Sequence, residues 1–102
     1  MQGESDQPLI TTDLSNYRVL DHAFNRPLLV ISGRRGSLCC GYIALDVLER
    51  NGDAAAIVRK VDTPDAMLAA TVSAVTSAAE ALGVVVGMSG AEALKHFEPE
   101  AA

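Results

Sequence analysis

The stretch Leu82-Gly83-Val84-Val85-Val86-Gly87-Met88-Ser89-Gly90-Ala91-Glu92-Ala93-Leu94 takes on four structural characters in turn. Gly83 closes a long alanine-rich run, at the place where a helix ends on a left-handed residue that glycine adopts without steric penalty. Val84-Val85-Val86 is β-branched, too short for a helix and apolar on both faces, which predicts a strand covered on both sides. Gly87 and Gly90 bracket a tight turn. Ser89 and Glu92 form a capping box: the serine oxygen accepts an orphan helix N–H and the glutamate reaches back. Leu94 and Phe97 give the following short helix its apolar side. A helix end, a buried strand, a turn and a helix start in succession predict an α/β-type domain.

Working back from this stretch, Asp62-Thr63-Pro64-Asp65 is a helix start, with Thr63 as cap, proline in the first turn and an acid beside it. Leu68, Val72, Val75, Ala79 and Leu82 follow at spacings of three and four and form one apolar stripe. Thr71, Val72 and Thr76 are poor helix formers, so a kink or break belongs near Ala70-Thr71. Ala54 to Val58 reads as a small-sided buried strand. Ile43 to Asn51 has helical period and ends on Asn51-Gly52. Leu28-Leu29-Val30-Ile31 and Leu38 to Tyr42 read as the two strands of a hairpin, with Arg34 and Arg35 at its tip. Asn25-Arg26-Pro27 breaks the chain. Tyr17 to Asp21 reads as another strand, Asp13 to Asn16 as a turn, and Pro8 to Thr12 as an edge strand.

The resulting order is an N-terminal β-hairpin region followed by β-α-β-α-β-α. This is an α/β domain, or α+β in a looser arrangement, with helices packed on a mixed sheet. Strands reached through a helix should lie parallel to a neighbour. The length of 102 residues fits one domain, over residues 8–97, with a disordered leader over 1–7 and a disordered tail over 98–102.

Hydrophobic residues make up 49% of the chain and aromatics only 4%, so the core is built from small side chains. So small a domain buries a limited fraction of its surface, and self-association is a common remedy. The net charge of −5 argues against a nucleic-acid partner. No apolar run approaches the ~20 residues that span a bilayer, so no membrane partner is expected. Cys39 and Cys40 are adjacent, too close for ordinary disulfide geometry, and as free thiols they fit a reducing cytoplasm.

Cys40 is the first candidate for chemistry. Beside Arg34 or Arg35 it would be a nucleophile; otherwise both cysteines are small buried hydrophobes on opposite faces of a strand. Asp46 either favours its helix dipole or serves as an acid/base partner at the strand ends. Arg59 and Lys60 leave the Ala54–Val58 strand where open α/β sheets bind ligands. With Gly87, Ser89 and Gly90 they would make a small anion pocket at a helix N-terminus. Alternatively, Ser89 is only a cap and the two cations face solvent. His22 and His96 are the two histidines. Adjacent cysteines lack metal-ligand spacing, so no metal is expected and no cofactor is implied. Two readings follow: a homo-oligomeric structural or interaction module, or a protein that binds or transforms a small anionic ligand between subunits.

One set of motifs resembles a known family. It comprises Gly36-x-x-x-Cys40-Gly41, Leu45-Asp46, Val61-x-Thr63-x-Asp65-x-x-Leu68, and Ala78-Ala79-Glu80-x-Leu82-Gly83-Val84-x-Val86-Gly87-Met88-Ser89-Gly90-x-Glu92-Ala93-Leu94. Together these motifs resemble the YunC-like family, the domain of unknown function 1805, over about residues 28–97. The resemblance implies a bacterial or archaeal α/β domain whose N-terminal β region mediates tetramer formation. It implies no established activity. The segment before Leu28 departs from the family pattern, and Cys39 stands where many relatives have another apolar residue.

Overall fold

The structure is a computed structural model and describes residues 14–99. The expected leader over 1–7 and edge strand over 8–12 lie outside these residues, as do residues 100–102. Among the described residues, a short 3-10 turn at Leu14–Asn16 leads into β1 (Arg18–Ala23), β2 (Pro27–Ser32) and β3 (Ser37–Cys39). Then follow α1 (Leu45–Asn51), β4 (Ala55–Ile57), α2 (Pro64–Ala69), β5 (Ala74–Val75), α3 (Ser77–Ala81) and α4 (Gly90–Phe97). The five strands form one sheet in chain order, β1-β2-β3-β4-β5. β1, β2 and β3 are antiparallel neighbours, and β3 and β4 are parallel through the α1 crossover. β5 returns antiparallel to β4. A mixed sheet with helices on it is an α+β fold.

Alternation along the strands supplies the sheet with two apolar faces. Leu29, Ile31, Leu38, Ala56 and Val58 meet Met67 and Leu68 of α2, Ala79 of α3, and Ala93, Leu94 and Phe97 of α4 in the main core. On the other face, Val30, Cys39, Ala55 and Ile57 pack with Leu45 and Leu48 of α1. The second face is thinly covered, since α1 buries none of its residues completely.

The break expected near Ala70-Thr71 is present, but two other expectations are corrected. Beyond that break the apolar stripe from Leu68 to Leu82 does not continue as helix at once. α2 ends at Ala70, whose ψ is 157°, and Ala74–Val75 becomes a strand on the open edge of β4. There the Ser73 N–H and Oγ both donate to the Ile57 carbonyl, and the Thr76 N–H donates to the Ala55 carbonyl. The β-branched and hydroxyl residues from Thr71 to Thr76 give up little helical stability, so pairing with β4 wins. Leu68, Val72 and Ala79 are still buried, through three different local structures. Thr76 ties the new arrangement together. Its buried Oγ1 accepts from the Ala55 and Ala79 N–H groups and donates to the Asp53 carbonyl at 2.8 Å.

Val84-Val85-Val86 is not a strand. Ala74–Val75, not this segment, takes the place beside β4, and residues 84–86 form a loop. Val84 is buried, while Val85 and Val86 are 51% and 58% exposed. The Gly87 N–H donates to the Val72 carbonyl and the Val72 N–H to the Met88 carbonyl, which pins the loop to the segment after α2. Gly83 does end a helix at φ 101°. It is also where a Cβ would press on the His96 ring, at 3.0 Å from Nδ1.

Candidate functional site

β3 and β4 are adjacent parallel strands, and their chains leave them in the same direction. After β3 the chain turns through Cys40-Gly41-Tyr42 to α1, on the thinly covered face. After β4 it runs through Val58-Arg59-Lys60 to α2, on the main-core face. The two connections diverge to opposite faces of the sheet. In open parallel sheets such a switch point opens a crevice outside the carboxyl ends of the strands. A cleft of about 250 Å³ lies there, lined by Arg26, Pro27, Cys40, Gly41 and Tyr42 on one side and by Lys60 and Val61 on the other.

The cleft is basic at its mouth and apolar along its walls. Arg26 is engaged by Asp62 at 2.6 Å, an exposed pair. Lys60 is held at a positive φ of 62°, which is uncommon for a side chain larger than glycine. Arg59 lies over Gly41, where a Cβ would sit 3.5 Å from its Nη1. The Tyr42 ring is half exposed and faces Phe24 at 5.6 Å between centroids, and Phe24 in turn meets His22 edge-on at 4.9 Å.

Cys40 is 3% exposed, and its Sγ accepts the Leu29 N–H at 3.3 Å. Its expected cationic neighbours, Arg34 and Arg35, lie instead before the N-terminal end of β3. There they bind Glu98, and their N–H groups donate to the Glu98 and Phe97 carbonyls. The cations near Cys40 come from the β1–β2 turn and the β4 exit. Cys39 points to the other face among Ala55 and Ile57. Burial first, then the neighbouring Cys40 and Asp53, push its thiol up to about 12.

Asp46 stands on α1 with its side chain 80% exposed, 3.9 Å from Arg50, and does not line the cleft. Gly87, Ser89 and Gly90 are outside the cleft as well. Ser89 caps α4, accepting the Glu92 N–H at 3.1 Å. Gly90 is where α4 crosses the end of α2: a Cβ there would collide with the Met67 carbonyl oxygen. The structure therefore keeps Cys40 and Lys60 together in the cleft, with Arg59 beside it over Gly41, and sets the Gly87–Gly90 turn apart as a packing and capping element. Sequence reasoning missed Arg26, Tyr42 and Val61. The prospect of parallel strands could have found Tyr42 and Val61, which follow the ends of β3 and β4, but not Arg26, which comes from the β1–β2 turn. His96 is half buried, and its Nδ1 donates to the Leu82 carbonyl at the end of α3. No group of three or more metal-ligating side chains occurs among the described residues.

The sequence profile of the domain of unknown function DUF1805 matches residues 39–97, more than half of the chain. The chain belongs to the DUF1805 family. A solved structure of the protein of unknown function TA1206 from Thermoplasma acidophilum is similar to it. The two are 30% identical, with a TM-score of 0.75 over 79% of this chain and 80% of that one. Among curated proteins no match is found. The profile match runs from the last residue of β3 to the end of α4 and so includes both sides of the switch point, but not Arg26 or Pro27. No helix among the described residues is long and apolar enough to cross a membrane. No activity is established for the DUF1805 family by these likenesses.

Proposed function

We propose that this DUF1805 domain is a homo-oligomeric structural or interaction module that assembles, as a tetramer, through its N-terminal β region. The observation that carries this reading is β1. All six of its residues are exposed, although it is a full-length strand paired along its whole length with β2. Leu20 stands beside Val30 on one face and Val19 beside Ile31 on the other, and they are 50% and 42% exposed. β1 is an edge of the sheet among the described residues, and exposed apolar side chains on an edge strand invite pairing with another chain. The thin cover of the α1 face adds to the argument, with a depression of about 440 Å³ between α1 and the sheet. The two buried free thiols support a reducing, cytoplasmic setting.

The test is the mass in solution, by light scattering and native mass spectrometry, of the wild-type chain and of Leu20→Lys. The wild type should run as a tetramer. Burying a leucine contributes about 1.5–3 kcal/mol, so the charged variant should dissociate at ten- to a hundredfold higher concentration while keeping its circular dichroism. A wild-type monomer, or an assembly indifferent to Leu20, would sink the reading.

A further inference from the structure

We infer that the switch-point cleft between the ends of β3 and β4 binds a small organic anion with a flat apolar body, its charged head held by Arg59 and Lys60. This goes beyond the assembly reading and does not depend on it.

Three independent features converge on that cleft. The first is topology. β3 and β4 are the parallel pair of the sheet, and their continuations separate to opposite faces, so the crevice is a product of chain direction. The second is charge. The chain carries a net charge of −5 and only eight basic residues, yet Arg26 and Lys60 line this one cleft and Arg59 lies beside it, over the lining residue Gly41. Asp62 neutralises Arg26. Arg59 and Lys60 have no carboxylate partner within 4.0 Å among the described residues, whereas Arg34, Arg35 and Arg50 are each paired. The local balance of three cations and one carboxylate is thus positive in an acidic protein. An anion entering the cleft would meet the two unpaired cations and leave the Arg26–Asp62 pair intact.

The third feature is the wall. Pro27, Val61 and the Tyr42 ring give the cleft an apolar lining. Phe24 extends that surface from the Tyr42 ring. The chain has four aromatic residues, two Phe and two Tyr. Phe97 is buried in the core and Tyr17 is partly buried, its hydroxyl donating to the Leu94 carbonyl. Phe24 and Tyr42 are instead 58% and 50% exposed at this mouth. At about 250 Å³ the cleft is below the usual range of roughly 300–1,000 Å³ for ligand pockets, so it suits a single ring bearing one head group. A carboxylate or a phosphate meets the same two cations, and the experiment decides between them.

Phenyl phosphate and benzoate are titrated into the 15N-labelled protein and followed by amide chemical shifts, with inorganic phosphate and benzyl alcohol as the head-only and body-only controls. At least one of the two aryl anions should shift the Gly41, Tyr42, Lys60 and Val61 amides saturably, more tightly than either control. The tighter of the two identifies the head group. The double variant Arg59→Gln/Lys60→Gln should bind about tenfold or more weakly, as expected for the loss of charge-assisted hydrogen bonds. Arg34→Gln/Arg35→Gln, at the other end of β3, should bind as the wild type does. Shifts that stay linear or fall elsewhere would overturn the inference. So would equal binding of a control, or an affinity unchanged in the Arg59/Lys60 variant whose spectrum shows it folded.

Discussion

Cys39 and Cys40 are neighbours in sequence with different surroundings, because a strand turns successive side chains to opposite faces. That much was readable from the sequence, as were the caps at Thr63 and Ser89, since each needs only the three residues that follow it. The hydrogen bond from the Leu29 N–H to the Cys40 sulfur was not readable: it spans a hairpin whose register the local sequence does not specify. The burial of Cys39 has a consequence at alkaline pH. Its ordinary value is 9.0, and in the folded protein it is pushed up to about 12. The folded state therefore keeps a proton that the unfolded chain releases. This contribution to stability is complete below pH 9 and is lost as the pH rises from there towards 12, at a slope of at most ~1.4 kcal/mol per pH unit. Urea denaturation from pH 8 to 11 should show a steeper decline for the wild type than for Cys39→Ala. Parallel curves would mean that the thiol is not shielded as described.

Elements were legible where a pattern had no competitor. The hairpin from Pro27 to Cys39, the α1 helix with its Gly52 end and the β4 strand all follow from local period and turn chemistry. The run from Pro64 to Leu82 had a competitor, the free edge of β4, and periodicity alone carries no information about a partner strand. The same edge decided the Val84–Val86 segment, which lost its place in the sheet to Ala74–Val75. Gly90 shows how one residue can serve two elements. It begins α4 and lets that helix start against the Met67 carbonyl and the Leu38 side chain. Gly90→Ala should therefore destabilise the domain by about 3 kcal/mol, the upper part of the range for overpacking, although alanine has the higher helix propensity. Chemical denaturation measures this directly, and a neutral or stabilised variant would show that α4 can move away from α2 at little cost.

For the whole molecule, the β3-α1-β4 crossover was the most informative inference from sequence, since parallel pairing also fixes where the switch-point cleft must open. Its contributions from Arg26 and Pro27 were illegible, because those residues reach the cleft by way of the antiparallel β1–β2 turn. The exposure of β1 was not readable from local pattern either, since only the sheet order makes β1 an edge among the described residues. That order carries a further consequence. Every strand pairs with its predecessor in the chain, so the sheet can be laid down in the order in which a ribosome delivers it. The main core cannot. Ala93, Leu94 and Phe97 of α4 close over Leu29 and Leu38, which were synthesised long before. The Arg34–Glu98 and Arg35–Glu98 pairs then fasten the residue after α4 to the β2–β3 hairpin. A chain ending at Ser89 should show no cooperative urea transition, and recovery of one would place the folding nucleus wholly upstream of α4. The timetable of synthesis is thus set at the far end: a nascent chain can zip its strands in sequence, yet it stays open to proteases until the last turn of α4 has cleared the exit tunnel.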